Sequence, residues 1–381
     1  MIIQSKRVWI ASRFVEAQLE VEGEKIIAVW PYGQKEADYD FGDNRIIHGM
    51  IDVDTHGAYG FDTNDGEEAG LRNWAERLPV DEGVTGFLPT TITQSVAVLD
   101  HALENVVKVV EDGYKGAEIL GVHFEGPYLD QAKKGAQPEE FILDADVEQF
   151  KHYQETAKGM IKYIALAPEH DKDLELTRWC SSHGVVVSMG HTSGSYKDAQ
   201  MGIANGAKTM THVYNGMSNF GHRELGMMGA AMRYSDIYGE LICDGNHCSV
   251  DALKIMFEAK HPGYAVMISD SLRPKGLPMG EYTSGGMKIR VCEDGSARLV
   301  PQGNLAGSTL RMNKGLQVLI EKAYVSEELA INSATANPAR LLRIDDRKGH
   351  LTAGHDGDIV VLDDDYEVVK VFVRGKEYKL D

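Results

Sequence analysis

Between residues 50 and 269 short apolar runs alternate with stretches of helical spacing. The runs are MIDVD (50–54), VTGFLP (84–89), ILGVHFE (119–125), KYIALA (162–167), VVVSM (185–189), KTMTH (208–212), ELICD (240–244) and AVMIS (265–269). Between them lie segments such as SVAVLDHALENVVKVVED and SVDALKIMFEAK, whose apolar residues recur at the spacing of an amphipathic helix. Eight strands alternating with helices predict an α/β chain folded as a (β/α)8 TIM-like barrel.

The two chain ends follow a different pattern. RVWIA, AQLEVEG and KIIAVWP near the start, and GDIVVLD and EVVKVFVRGKEY near the finish, alternate as antiparallel strands do. They predict a small β-sandwich domain built from both ends. Its first part spans 1–48 and its second 341–381, and the barrel occupies 49–340. A length of 381 residues fits a barrel of about 250 residues with such a satellite.

A net charge of −19 disfavours nucleic acid and anionic membrane surfaces as partners, since both need a basic face. A phosphorylated ligand would have to be held by a few local cations and backbone amides. Cys180, Cys243, Cys248 and Cys292 form no C-x-x-C pair and read as free thiols. Lys6 and Arg7 interrupt the N-terminus before an apolar signal region can form, and no run of about 18 apolar residues exists. The expectation is a cytoplasmic protein.

Catalytic groups in such a barrel sit where strands end. The first run ends in Asp52-Val53-Asp54-Thr55-His56, the third in His123-Phe124-Glu125, the fifth in Met189-Gly190-His191 and the sixth in Thr211-His212. The seventh leads into Asp244-Gly245-Asn246-His247, and the eighth ends in Ser269-Asp270. Strand alternation places Asp52, Asp54 and His56 on one face, His123 with Glu125, and Val187 and Met189 with His191. Several strands therefore deliver a His, Asp or Glu to one rim. Two His and a carboxylate with an open position suit a catalytic divalent ion, and a nearby Asp suits proton transfer. A single strand-end histidine is more often a structural hydrogen-bonder. His48, His101, His152, His183, His261, His350, His355 and His170 are read that way, and His123 as a supporting residue.

The segments GMIDVDTHGAYGFDTND, HFEGPYLDQAKKGAQ, MGHTSGSYKDAQMGIANGAKTMTHVYNGMSNFGHRELG, CDGNHCS, ISDSLRPKGLPMGEY and NLAGSTL resemble the N-acetylglucosamine-6-phosphate deacetylases of the amidohydrolase superfamily. The H-x-Y-N motif followed by R-E-x-G is the most specific part of the likeness. The resemblance implies hydrolysis of the acetamide of N-acetyl-D-glucosamine 6-phosphate, in amino-sugar catabolism or cell-wall recycling. The alternatives are the galactosamine epimer or another amidohydrolase substrate. It implies Glu125, His191 and His212 as ligands of one tightly bound divalent ion, Zn2+ in first place, with Fe2+, Mn2+ or Co2+ as alternatives. Asp270 would be the general base and then the acid. Asn215 and Gly216 would hold the sugar phosphate, and His247 the substrate. Ala136, Leu305, Ala306 and Gly307 would wall the sugar and acetyl group. Arg223 would clamp the phosphate of a neighbouring subunit in a homodimer.

Two departures from the family pattern stand out. Asp54-Thr55-His56 replaces the usual H-x-H, which leaves Asp54 and His56 as candidates for a second ion site. Gln137 replaces a histidine that polarises the substrate carbonyl, and its amide can donate one hydrogen bond to that oxygen. The strand that ends Ala165-Leu166-Ala167 carries no lysine there, which disfavours the cyclic-amide branch. A non-catalytic scaffold should have lost ligands that this chain retains.

Overall fold

The computed structural model describes residues 1–380. All eight expected strands form: β1 (Met50–Thr55), β2 (Val84–Pro89), β3 (Val122–Glu125), β4 (Ile161–Leu166), β5 (Val186–Met189), β6 (Thr209–Met210), β7 (Tyr238–Ile242) and β8 (Ala265–Ile268). They are parallel. β3 to β8 form one sheet in sequence order, and β1 pairs with β2 in another. Isolated parallel bridges between Thr90 and His123, and between Thr55 and Ser271, lie at the two seams. β1 and β2 are buried at every position, because helices cover one side and the other strands the opposite side.

The third run is shorter than its apolar stretch suggests. Glu118–Ile119 pairs with β2, and β3 begins only at Val122. Gly121 breaks it at φ +142, where a Cβ would lie 2.8 Å from the Met160 carbonyl oxygen. The helix Val96–Asp112 turns Leu99, Ala102, Leu103, Val106 and Val109 inward, the stripe its spacing predicts. The helix Tyr196–Ala204 starts on a capping box, in which Ser195 and Asp198 satisfy each other's backbone N–H groups.

Strands from both chain ends meet in one mixed eight-stranded sheet, in which Arg45–His48 pairs antiparallel with Ile359–Leu362. The sequence suggested a sandwich; hydrogen bonding instead joins all these strands into a single sheet. Lys348, fully buried, bonds Asp358 at 2.5 Å and Glu118 at 3.0 Å, tying this sheet to the short strand Glu118–Ile119 beside β2. A three-stranded antiparallel sheet, β9 (Gly280–Ser284), β10 (Met287–Val291) and β11 (Ala297–Leu299), follows β8 and was not anticipated. Its signal is present in the sequence: GEYTS and MKIRV alternate around Gly285-Gly286, a two-residue hairpin turn. No helix among the described residues is long and apolar enough to cross a membrane.

Among the parallel strands, Glu240 of β7 accepts hydrogen bonds from Tyr163, from Thr209 at 2.7 Å and from Ser188 at 3.2 Å. Burial raises its pKa to about 7. The unfolded chain releases this proton near the ordinary value while the folded chain still holds it. Stability therefore falls as pH rises from about 4.5 to about 7, by on the order of 3 kcal/mol. Glu240→Gln keeps the acceptor oxygen and removes the titration. Urea unfolding should find it more stable than the wild type at pH 8, with the gap closing towards pH 5. A gap independent of pH would show that Glu240 does not titrate in this window.

Candidate active site and metal centre

Glu125 is the last residue of β3, while His191, His212 and Asp270 each lie two residues beyond the end of β5, β6 and β8. These last three have positive φ, of 46°, 30° and 46°. Such a conformation costs energy for a residue with a side chain and is kept where the surroundings enforce it. For Asp270 the enforcing bonds are explicit: its N–H donates to the Asp54 carbonyl at 2.8 Å, and its carbonyl accepts from Ser308 at 2.7 Å. The left-handed turn, not strand alternation, thus aims these three side chains over the strand ends.

The tautomers of the two histidines follow from their partners. His191 Nδ1 lies 2.8 Å from the Lys133 carbonyl, and His212 Nδ1 lies 3.1 Å from the Asn215 carbonyl. A carbonyl only accepts, so each Nδ1 carries the proton and each neutral ring presents a lone pair at Nε2. The two Nε2 atoms face each other at 3.0 Å. Glu125 Oε1 lies 3.4 Å from one and 3.5 Å from the other, and has no hydrogen-bond partner among the described residues. Three buried electron-pair donors at this spacing repel unless something positive sits between them. A tetrahedral ion with ligands at about 2.0–2.2 Å sets its donors about 3.3–3.6 Å apart. The donor set therefore fits a divalent ion of the zinc class. Without one, burial opposes charge on His191, but the adjacent Glu125 carboxylate outweighs it and raises the pKa of the ring.

His56 stands on the other side of Glu125. Its Nε2 is 3.2 Å from Glu125 Oε2, 3.3 Å from Asp270 Oδ1 and 3.7 Å from Asp54 Oδ1. Burial disfavours a charge here, yet the hydrogen bonds that His56 donates to the Asp270 and Glu125 carboxylates prevail and hold its pKa well above the ordinary value. Asp54 is fully buried, and neither carboxylate oxygen has a hydrogen-bond partner among the described residues. Asp54, His56 and Glu125 form a second group able to hold an ion. Asp52 faces elsewhere, accepting from Ser269 Oγ at 2.5 Å and Ser269 N at 3.2 Å. His123 is fully buried, bonds the Val53 carbonyl at 3.0 Å and packs edge-on against Tyr163; burial lowers its pKa to about 3, so it is neutral. His48, bonded to the Gly49 carbonyl and the Gly349 N–H, is likewise a structural hydrogen-bonder.

A cavity of about 180 Å³ opens beside these groups. Of the residues expected from sequence, His56, Glu125, Ala136, Gln137, His191, His212, Asn215, Gly216, His247, Asp270, Leu305, Ala306 and Gly307 line it. Asp54 lies outside its lining, and Arg223 is exposed and also outside it. His247 is held by Asp244, whose Oδ2 lies 2.8 Å from Nδ1, which leaves Nε2 for a ligand. Gln137 lines the cavity, and its amide nitrogen also donates to Glu125 Oε2 at 2.7 Å, a contact its place in the sequence did not suggest. Sequence reasoning missed Asp244 as a support, and it named only Ala306 and Ala136 of an apolar wall that also includes Ile92, Leu272 and Ile289. Ile92, Leu272, Ile289 and Ala306 pack into one cluster, and Ser284 and Met287 complete the lining from the β9–β10 hairpin.

The amidohydrolase family model matches residues 45–378. The chain is 41% identical over 336 residues to the N-acetylglucosamine-6-phosphate deacetylase of Bacillus subtilis (strain 168), covering 87% of this chain and 84% of that one. It is 31% identical over 326 residues to an N-acetylgalactosamine-6-phosphate deacetylase of Escherichia coli O157:H7, covering 86% and 85%. The crystal structure of the N-acetyl-D-glucosamine-6-phosphate deacetylase of Mycobacterium smegmatis superposes with a TM-score of 0.94 at 25% identity, covering 100% of both chains. On sequence, fold and site together, this chain belongs to the amidohydrolase family, on its N-acetylglucosamine-6-phosphate deacetylase branch.

Proposed function

We propose that the chain hydrolyses the acetamide of N-acetyl-D-glucosamine 6-phosphate to D-glucosamine 6-phosphate and acetate. The observation that carries this is the convergence of Glu125 Oε1, His191 Nε2 and His212 Nε2 on one point beside Asp270, at the base of a cavity with one apolar wall. The fold reading that goes with it is a closed (β/α)8 barrel over 49–340, with the sheet of 1–48 and 341–381 as its satellite. The setting is the cytoplasm, and the ion is Zn2+, held singly by Glu125, His191 and His212.

When bound, such an ion supplies Lewis-acid polarisation of the amide carbonyl and makes water acidic enough to react near neutral pH. Asp270 takes the proton of the attacking water on a carboxylate oxygen and returns it to the amine nitrogen as the C–N bond breaks. His56, 3.3 Å from Asp270 Oδ1, orients that carboxylate. Burial opposes charge on His247, but Asp244 at its Nδ1 prevails and raises its pKa, so the imidazolium donates from Nε2 to the sugar phosphate, while Asn215 and Gly216 position it. The apolar wall of Ile92, Leu272, Ile289 and Ala306 takes the acetyl methyl group and keeps solvent from the reacting carbonyl.

The phosphate supplies the test. Arg223 is exposed and outside its own cavity, as a residue would be that reaches the neighbouring site of a homodimer. Acetate release should be measured on phosphorylated and free N-acetylglucosamine and on the galactosamine epimer. The 6-phosphate of N-acetylglucosamine should be the best substrate. Arg223→Ala should raise KM for it by about 10- to 100-fold, the worth of one charge-assisted hydrogen bond, and leave the free sugar nearly unchanged. Equal losses on both sugars would make Arg223 structural. An active monomer in sedimentation would contradict its supply from a neighbour.

A further inference from the structure

We infer that Gln137 is a positioning residue for the metal ligand Glu125, and not the group that polarises the substrate carbonyl; this rests on the catalytic reading above. The orientation of its amide is fixed by chemistry. The backbone N–H of Thr93 can only donate, and it lies 2.8 Å from Gln137 Oε1. The nitrogen end therefore faces Glu125 Oε2, at 2.7 Å. Gln137 is buried, so neither bond competes freely with water.

The consequence falls on Glu125. Its Oε2 has two neighbours able to donate, Gln137 at 2.7 Å and His56 at 3.2 Å, while its Oε1 has no hydrogen-bond partner among the described residues. The carboxylate is thereby divided into one oxygen held by the protein and one left for an ion beside His191 and His212. A carboxylate free to rotate would lose that division. The support is itself anchored, because the loop at Thr93 packs on the turn that follows Glu125. A Cβ at Gly126 would fall 2.0 Å from Thr93 Oγ1. Gln137 thus ties the Thr93 loop, the 134–138 loop and the end of β3 to one carboxylate. Residues that bond a metal ligand in this way typically contribute 10- to 100-fold to metal affinity, hence about that factor here.

Gln137→Met keeps the length and loses both amide groups. Metal-free protein should be titrated with Zn2+ against a competing chromophoric chelator, and kcat measured separately at saturating metal. Zn2+ affinity is expected to fall by about 10- to 100-fold, a larger factor than any loss of kcat at saturating metal. If Gln137→Met does not fold, Gln137→Ala carries the same titration, with room for water in place of the amide. Unchanged affinity with a kcat lower by about 10²–10³ at saturating metal would make Gln137 the carbonyl polariser and overturn the inference. Wild-type protein that binds no divalent ion would overturn the catalytic reading first, and this inference with it.

Discussion

Asp270→Asn should keep its metal and lose about 10²–10⁴-fold in kcat, the usual worth of a positioned general acid–base group. The substitution is nearly isosteric. The backbone bonds that hold residue 270 at positive φ, to Asp54 and Ser308, do not involve the side chain and survive. An amide oxygen can still accept from His56, now 3.3 Å from Oδ1. What an amide cannot do is take the proton of the attacking water and hand it to the leaving nitrogen. The loss should therefore appear in kcat and kcat/KM together, with KM little changed, as for an interaction made only in the transition state. Metal content per chain, measured on the same preparation, separates this from loss of the ion. A variant with near wild-type kcat removes Asp270 from the mechanism.

Much of this site is legible in the sequence because strand ends are legible. Apolar runs mark β1 to β8, and a polar residue at or just past the end of six of them marks the rim. What the sequence conceals is direction. Strand alternation groups His191 with Val187 and Met189, yet β5 stops at Met189 and a left-handed residue sets the direction of the imidazole. The same alternation groups Asp52 with Asp54 and His56, whereas Asp52 bonds Ser269 and stays away from the ion site. Local pattern cannot show which carbonyl fixes a tautomer either, since Lys133 lies 58 positions from His191 in the chain. Gln137 reads as a substrate group from its place in a motif, but the Thr93 N–H, 44 positions away, turns its nitrogen towards Glu125. The hairpin that brings Met287 and Ile289 to the cavity was overlooked for a different reason. Its alternation and its Gly-Gly turn are plain, but they sit outside the strand–helix repeat that draws attention first.

The second large effect concerns the ion itself. Glu125→Gln and His191→Ala should each release the metal and lower kcat by about 10³-fold or more, because Lewis-acid catalysis by the ion supplies several kcal/mol. The reason lies in the donor set. Glu125 Oε1, His191 Nε2 and His212 Nε2 are the three atoms that face one another with no other partner strong enough to settle them. Removing His191 leaves two donors, and neutralising Glu125 removes the only charge in the set. The wild type should hold close to one ion per chain after extensive dialysis. Glu125 Oε2 is already bonded by Gln137, and His56 Nε2 lies 3.2 Å from Glu125 Oε2 and 3.3 Å from Asp270 Oδ1. A second ion at Asp54, His56 and Glu125 would have to break both arrangements, so it should bind only at high metal concentration. The checks are metal analysis on the dialysed wild type, Glu125→Gln, His191→Ala and Asp54→Ala. Full occupancy in the first two variants would place the ion elsewhere. Two tightly held ions in the wild type, falling to one in Asp54→Ala, would make Asp54 a ligand and His56 its companion.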